Sequence, residues 1–157
     1  MCFLSGQYAH NHGYYALSGP APDFPTFLGH FREHGYRSAA IGKIHCPPGW
    51  VERDCDRFEE TAVLAERTAG YADFLAAEGL LAGDDHDGVL VDGQRVKQTL
   101  DGCPSELSFA QSQEGWIAQE AIRVMEQARA ADQPFCLQAS LPRPHQCATP
   151  CQEFWDL

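Results

Sequence analysis

The sequence predicts an α/β protein, and three observations predict it. A helical pattern opened by Pro25 runs directly into a short apolar segment, residues 36–42. A longer helical pattern beginning near Ser108 is followed, after Pro134, by a second apolar segment, residues 135–141. Helices alternating with short apolar strands are the arrangement of a mainly parallel sheet flanked by helices. Only two convincing core strands are present, fewer than an open parallel sheet needs to cover both faces. The chain therefore reads as part of an α/β domain.

Each element has its own justification. Residues 1–19 are rich in Gly, His, Tyr and Ser and read as ordered loop. Phe27, Leu28 and Phe31 recur at helical spacing, with Pro25 in the first turn and Gly35 at the stop. The run Tyr36-Arg37-Ser38-Ala39-Ala40-Ile41-Gly42 is short and apolar, as a buried strand is. Lys43, His45, Cys46, Pro47, Pro48 and Gly49 must then be loop. Residues 61–81 look helical, with Tyr71, Phe74 and Leu75 on one face and Gly79 near the end. Residues 89–96 resemble a hairpin turning at Asp92-Gly93, inside a loop or hairpin insertion at 82–104 of a domain covering 1–157. Ser108 and Gln111 match a capping box, and the helix after them carries Ile117, Ala121, Ile122, Met125 and Ala128 on one side, stopping near Asp132. The last strand ends at Pro142-Arg143-Pro144-His145.

Composition narrows the function classes. The chain has 157 residues, of which 44% are apolar and 21% charged, as in a globular protein of one domain. No apolar run approaches the roughly 20 residues of a membrane-spanning helix. Eleven Lys and Arg against 22 Asp and Glu give a net charge of −11, a surface that repels nucleic acid and anionic membrane. A small anionic ester is still admissible, because a pocket can be locally positive. Seven cysteines, an odd number with irregular spacing, do not form a disulfide framework. With no signal peptide at Met1-Cys2-Phe3-Leu4-Ser5-Gly6, a cytoplasmic setting is expected.

Ligands of open α/β sheets bind beyond the carboxyl ends of the strands. Lys43 and His45 follow the first strand and His145 the second. If the backbone stays extended, Lys43 and His45 point to the same side. An ammonium can hold an oxyanion, and an imidazole can move a proton near neutral pH. The three suit a reaction that develops negative charge on a tetrahedral centre and protonates a leaving oxygen. Position alone favours the ordinary reading, a solvated loop lysine with capping or core histidines.

Three sequence blocks change that balance. Leu4-Ser5-Gly6-Gln7-Tyr8-Ala9-His10-Asn11-His12-Gly13 resembles the L-T-G-x-Y-P-H-x-H-G segment of the sulfatase family, within the alkaline phosphatase superfamily. Pro25-Thr26-Phe27-Leu28, with Gly35-Tyr36 through Gly42-Lys43-Ile44-His45, is similar to its P-T-L…G-Y-x-T-A-x-x-G-K-W-H block. Pro134-Phe135-Cys136-Leu137, Pro142-Arg143-Pro144-His145, Thr149-Pro150 and Glu153-Phe154-Trp155-Asp156-Leu157 resemble its P-F-F-L…P-x-P-H…T-P…E-Y-W-D-L segment. The blocks stand in family order and span nearly the whole chain.

The resemblance implies an alkaline-phosphatase-like sandwich, incomplete in this chain, and hydrolysis of sulfuric esters. It places Lys43 where the family lysine contacts the sulfate and the nucleophile. His45 falls on the histidine that hydrogen-bonds the nucleophile, and His145 on the one beside the bridging oxygen, where it binds substrate and protonates the leaving group. The family's C-x-P-S-R motif, whose Cys or Ser matures to the formylglycine nucleophile, aligns immediately before Met1, so Cys2 is a decoy. The Asp and Asn ligands of a divalent cation, Ca or Mg, and a second sulfate-binding lysine also align outside residues 1–157. The chain is thus expected to be an internal fragment, inactive alone. Ala9 replaces the usual proline and Ile44 the usual tryptophan. The implied partner is a small sulfated or phosphorylated ester, with residues 46–103 expected to set which one; phosphonate monoester or phosphodiester hydrolysis uses the same frame.

Other clusters are weaker. Asp84-Asp85-His86-Asp87 is an acidic loop of the kind usually solvated. His30 and His34 are spaced i, i+4 but lack a third ligand. His10 and His12 read as loop-positioning residues. Outside catalysis, the alternatives are a remnant without activity or a zinc-stabilised module using His145, Cys147, Cys151 and Cys46, which lacks a second closely spaced Cys pair.

Overall fold

A computed structural model describes residues 1–15, 21–61, 69–80, 89–91, 94–96, 104–105, 107–144 and 149–157. Its centre is a parallel sheet of three strands in the order β2-β1-β5. Strand β1 (Arg37–Gly42) lies in the middle, β2 (Arg57–Glu60) on one side and β5 (Phe135–Ser140) on the other. A separate antiparallel pair joins β3 (Val89–Val91) to β4 (Gln94–Val96), with Val89 opposite Val96, as the hairpin pattern predicts; Asp92 and Gly93 lie outside the described residues.

The middle strand is buried from Ser38 to Gly42, while β5 is only partly covered. Alternation along β1 sends its side chains into two cores, one on each face. Ala39 and Ile41 join Tyr71, Leu75, Leu107, Trp116, Ile117 and Val124. That core packs helices α4 (Ala69–Ala77) and α5 (Gln113–Ala130) against the sheet. Ala40 joins Leu4, Leu28, Ile44, Trp50 and Val51 on the opposite face. Leu4 comes from the short helix α1 (Cys2–Ser5) and Leu28 from α3 (Phe27–Glu33), while α2 (Ala9–His12) and α6 (Gln152–Trp155) are single turns near the termini. The first residues are thus partly helical where the sequence reads as loop.

Local chemistry explains the element ends. The Thr26 side chain accepts the Gly29 N–H at 3.3 Å and caps α3. Asp54 accepts the Thr26 N–H at 2.5 Å, so a carboxylate sits at the start of that helix. Gly29 is required there, because a Cβ would stand 2.7 Å from the Asp54 carboxyl carbon. The Ser108–Gln111 capping box forms, but it closes a 3₁₀ turn over 109–111. Helix α5 starts after it, with Ser112 accepting the Gly115 N–H at 3.1 Å.

Three sequence expectations need correction. The buried side of α5 carries Trp116, Ile117, Glu120, Ala121, Val124 and Ala128, whereas Ile122 is half exposed and Met125 is only partly covered. The buried Glu120 carboxylate pairs with Arg57 on β2 and Arg123 one turn along its own helix, which turns a polar position inward. The helix predicted over 61–81 is described only as Ala69–Ala77, with 62–68 outside the described residues. Strand β2 was not expected: it holds a single apolar residue, Phe58, and is set by its pairing with β1, Ala39 opposite Arg57 through Gly42 opposite Glu60.

Candidate active site

The three parallel strands end together, with Gly42 flanked by Glu60 and Ser140. The ladder continues one residue further on both sides. The Lys43 N–H donates to the Ser140 carbonyl at 2.9 Å, and the Thr61 N–H donates to the Gly42 carbonyl at 3.1 Å. Gly42 has φ +105°, and a Cβ there would fall 2.0 Å from the Ser140 oxygen. Only glycine lets the two strands approach this closely at the point where the chain turns toward Lys43.

Beyond Gly42, Lys43 is half-buried, and burial pushes its ammonium below the usual lysine value. Ile44 inserts into the α3-side core, occupying the position of the family's aromatic residue with another apolar anchor. His45 is exposed and has φ +48°, a left-handed conformation uncommon for a residue with a side chain. The extended alternation expected to aim Lys43 and His45 to one side therefore stops at His45. Its N–H donates to Glu60 Oε1 at 3.1 Å, which ties the turn to the end of β2. Glu60 is 6% exposed. Sequence reasoning missed it, because Glu59-Glu60 in a weakly apolar stretch resembles a solvated charge run.

On the other side of the edge, β5 leads into Arg143. The Arg143 N–H donates to Glu114 Oε1 at 3.3 Å, and its guanidinium pairs with Glu114 Oε2. The guanidinium also donates to Thr149 Oγ1 at 2.6 Å. Glu114 lies in the first turn of α5, so the helix holds both flanks of residues 145–148. A cavity of about 250 Å³ opens beside this network, with Phe109, Pro150 and Phe154 among its lining residues. His145 and Cys147 are outside the described residues, as is the acidic cluster 84–87.

The remaining candidates have other occupations. His34 Nδ1 lies 2.8 Å from the His30 carbonyl, and the two rings lie tilted against each other on the exposed side of α3, centroids 4.4 Å apart and planes 42° apart. His12 Nδ1 accepts the Tyr14 N–H at 3.1 Å, while its Nε2 is 3.4 Å from Cys2 Sγ. His10 stacks on Tyr8. Cys151 is buried, and its backbone pairs with that of Ser105 in an isolated parallel bridge. Cys46 packs against the α3-side core, on the other face of the sheet from Leu107 and Trp116. Among the described residues no group of three or more His, Cys, Asp or Glu side chains could hold a metal ion.

A parallel sheet whose carboxyl edge carries Lys43 and His45 on one turn, next to a strand that leads to Arg143, is the arrangement in which α/β proteins bind ligands. The Sulfatase family model matches residues 1–156, and the chain belongs to the sulfatase family. Among solved structures, it is similar to that of BT4656 in complex with its substrate D-glucosamine-2-N,6-O-disulfate, with a TM-score of 0.59 and 23% identity. The alignment covers 96% of this chain and 25% of that one, so the chain spans about a quarter of that structure's length. No curated protein matches.

Proposed function

We propose that these residues supply the cationic and imidazole groups of a sulfatase active site, and that the protein containing them hydrolyses a small sulfated ester. One observation carries the reading. The Lys43–Ser140 backbone bond makes the turn bearing Lys43 and His45 and the strand leading to His145 leave the sheet side by side.

In that arrangement the Lys43 ammonium binds the sulfate oxygens and offsets the charge that grows on them as the sulfur is attacked. An oxygen nucleophile forms a new bond to sulfur as the bridging S–O bond breaks, and the departing alkoxide takes a proton from the His145 imidazolium to leave as the alcohol. Water then releases the transferred group, so ester plus water gives alcohol plus sulfate. His45 accepts a hydrogen bond at the nucleophile and moves a proton there. By the family resemblance, the nucleophile and the cation ligands are expected outside residues 1–157. The partial burial of Lys43 strengthens its hold on an anion, because less water competes for the charge. BT4656 is described with a disulfated glucosamine, which supports a sulfated sugar as the first substrate to try.

The test uses the product of the full open reading frame containing residues 1–157, with an aryl sulfate and added calcium or magnesium. Turnover is expected, and Lys43→Ala, His45→Ala and His145→Ala are each expected to lower kcat by about 100-fold or more. The chain of 157 residues alone is expected to show none. Wild-type rates in all three variants would contradict the proposal, and faster cleavage of an aryl phosphonate than of the sulfate would reassign the substrate.

A further inference from the structure

We infer that Glu60 is a positioning residue for the Lys43–His45 turn: its carboxylate clamps the His45 backbone in the left-handed conformation and so sets where both side chains stand. The inference rests on the function proposed for Lys43 and His45, and extends it to a residue on a different strand.

Four observations meet at this point. His45 has φ +48°, which a histidine adopts only when its surroundings hold it there. Its N–H donates to Glu60 Oε1 at 3.1 Å. Glu60 is 6% exposed, so that bond lies largely away from competing water. The Glu60 backbone is itself fixed, opposite Gly42 in the ladder, with the next N–H donating to the Gly42 carbonyl at 3.1 Å. The turn is therefore held at its start by the Gly42 ladder bonds and two residues later by Glu60, with Ile44 buried between. A surface glutamate would be solvated and replaceable; a buried one spanning from β2 to the backbone of the β1 loop fixes the geometry of the loop.

The bond needs an acceptor oxygen at that reach, so three variants separate the possibilities. Glu60→Gln keeps the oxygen, Glu60→Asp withdraws it, and Glu60→Ala removes it. In the full open-reading-frame product, amide hydrogen exchange at His45 is expected to accelerate about tenfold in the Asp and Ala variants and to stay near wild type in the Gln variant. Aryl sulfate turnover is expected to follow, with kcat down about 10- to 100-fold and KM little changed in Asp and Ala, and largely retained in Gln. Should the Ala variant fail to fold, the Asp and Gln pair decides. Unchanged His45 exchange in the Asp variant, loss of protection in the Gln variant, or altered exchange without altered kcat would each overturn the inference. If the wild-type product turns over no sulfate ester, the proposed function fails, while the exchange measurement still decides whether the clamp exists.

Discussion

Gly42 and Ser140 face each other across β1 and β5 with no room for a side chain: a Cβ on Gly42 would lie 2.0 Å from the Ser140 carbonyl oxygen. The approach brings the two strand ends, and the loops that follow them, to one edge. Gly42→Ala meets this contact and the φ of +105° together. The substitution is expected to destabilise by about 3 kcal/mol or more, read as a lower midpoint in urea unfolding. An unchanged midpoint would mean the strands do not lie this close.

The Glu120 carboxylate is buried and shared by Arg57 and Arg123. Arg57 is itself mostly covered, whereas Arg123 is largely exposed. Glu120→Ala leaves Arg57 without its buried partner and is expected to cost about 1–3 kcal/mol. Arg123→Ala loses only a solvated partner and should cost under about 1 kcal/mol. Equal effects in thermal unfolding would show that Glu120 does not hold β2 to α5.

Helix α5 is tied through Glu114 to Arg143, which also meets Thr149. Thr149→Val keeps the volume and removes the acceptor. It is expected to cost about 1 kcal/mol and to lower kcat for an aryl sulfate more than it raises KM. Glu114→Gln, which weakens the same network from the helix side, should act in the same direction. A Thr149→Val product with wild-type kcat would separate the Glu114–Arg143–Thr149 network from the reaction.

Cys55 offers a pH test. Burial and, after it, the neighbouring Asp54 and Asp56 push its thiol up to about 12, from about 9 when unfolded. Because the folded form keeps its proton longer, this contribution to stability is complete below about pH 9 and declines as pH rises toward 12. Denaturation midpoints measured across that window should fall in the wild type and fall less steeply in Cys55→Ala. At pH 8, iodoacetamide should label the exposed Cys2 well before Cys55. Parallel declines in the two proteins would contradict the assignment.

Much of this architecture is legible in the residues, and the parts that are not have identifiable causes. Strand β1 announces itself because Ser38-Ala39-Ala40-Ile41 is small and apolar for burial on both faces, and Pro25 and Ser108 mark the approach to two helices whose actual caps are the neighbouring Thr26 and the later Ser112. Strand β2 is hidden, since Arg57-Phe58-Glu59-Glu60 has no apolar period and is defined by a neighbour distant in sequence. The face of α5 is misread for a related reason. Glu120 looks like a solvent residue until Arg57, 63 positions away, turns it inward. Lys43 and His45 stand out by their place after a strand, and the sulfatase resemblance points to the same two residues. Glu60 carries no such signal, and the left-handed turn at His45 cannot be read from Lys43-Ile44-His45-Cys46.

The central claim is that Lys43 and His145 meet at one sulfate ester. A crystal structure of the full open-reading-frame product with sulfate bound tests it most directly. The account predicts one anion with the Lys43 ammonium and a ring nitrogen of His145 both at hydrogen-bond distance, about 3 Å. An ammonium directed away from the anion, with packed side chains between Lys43 and His145, would contradict it.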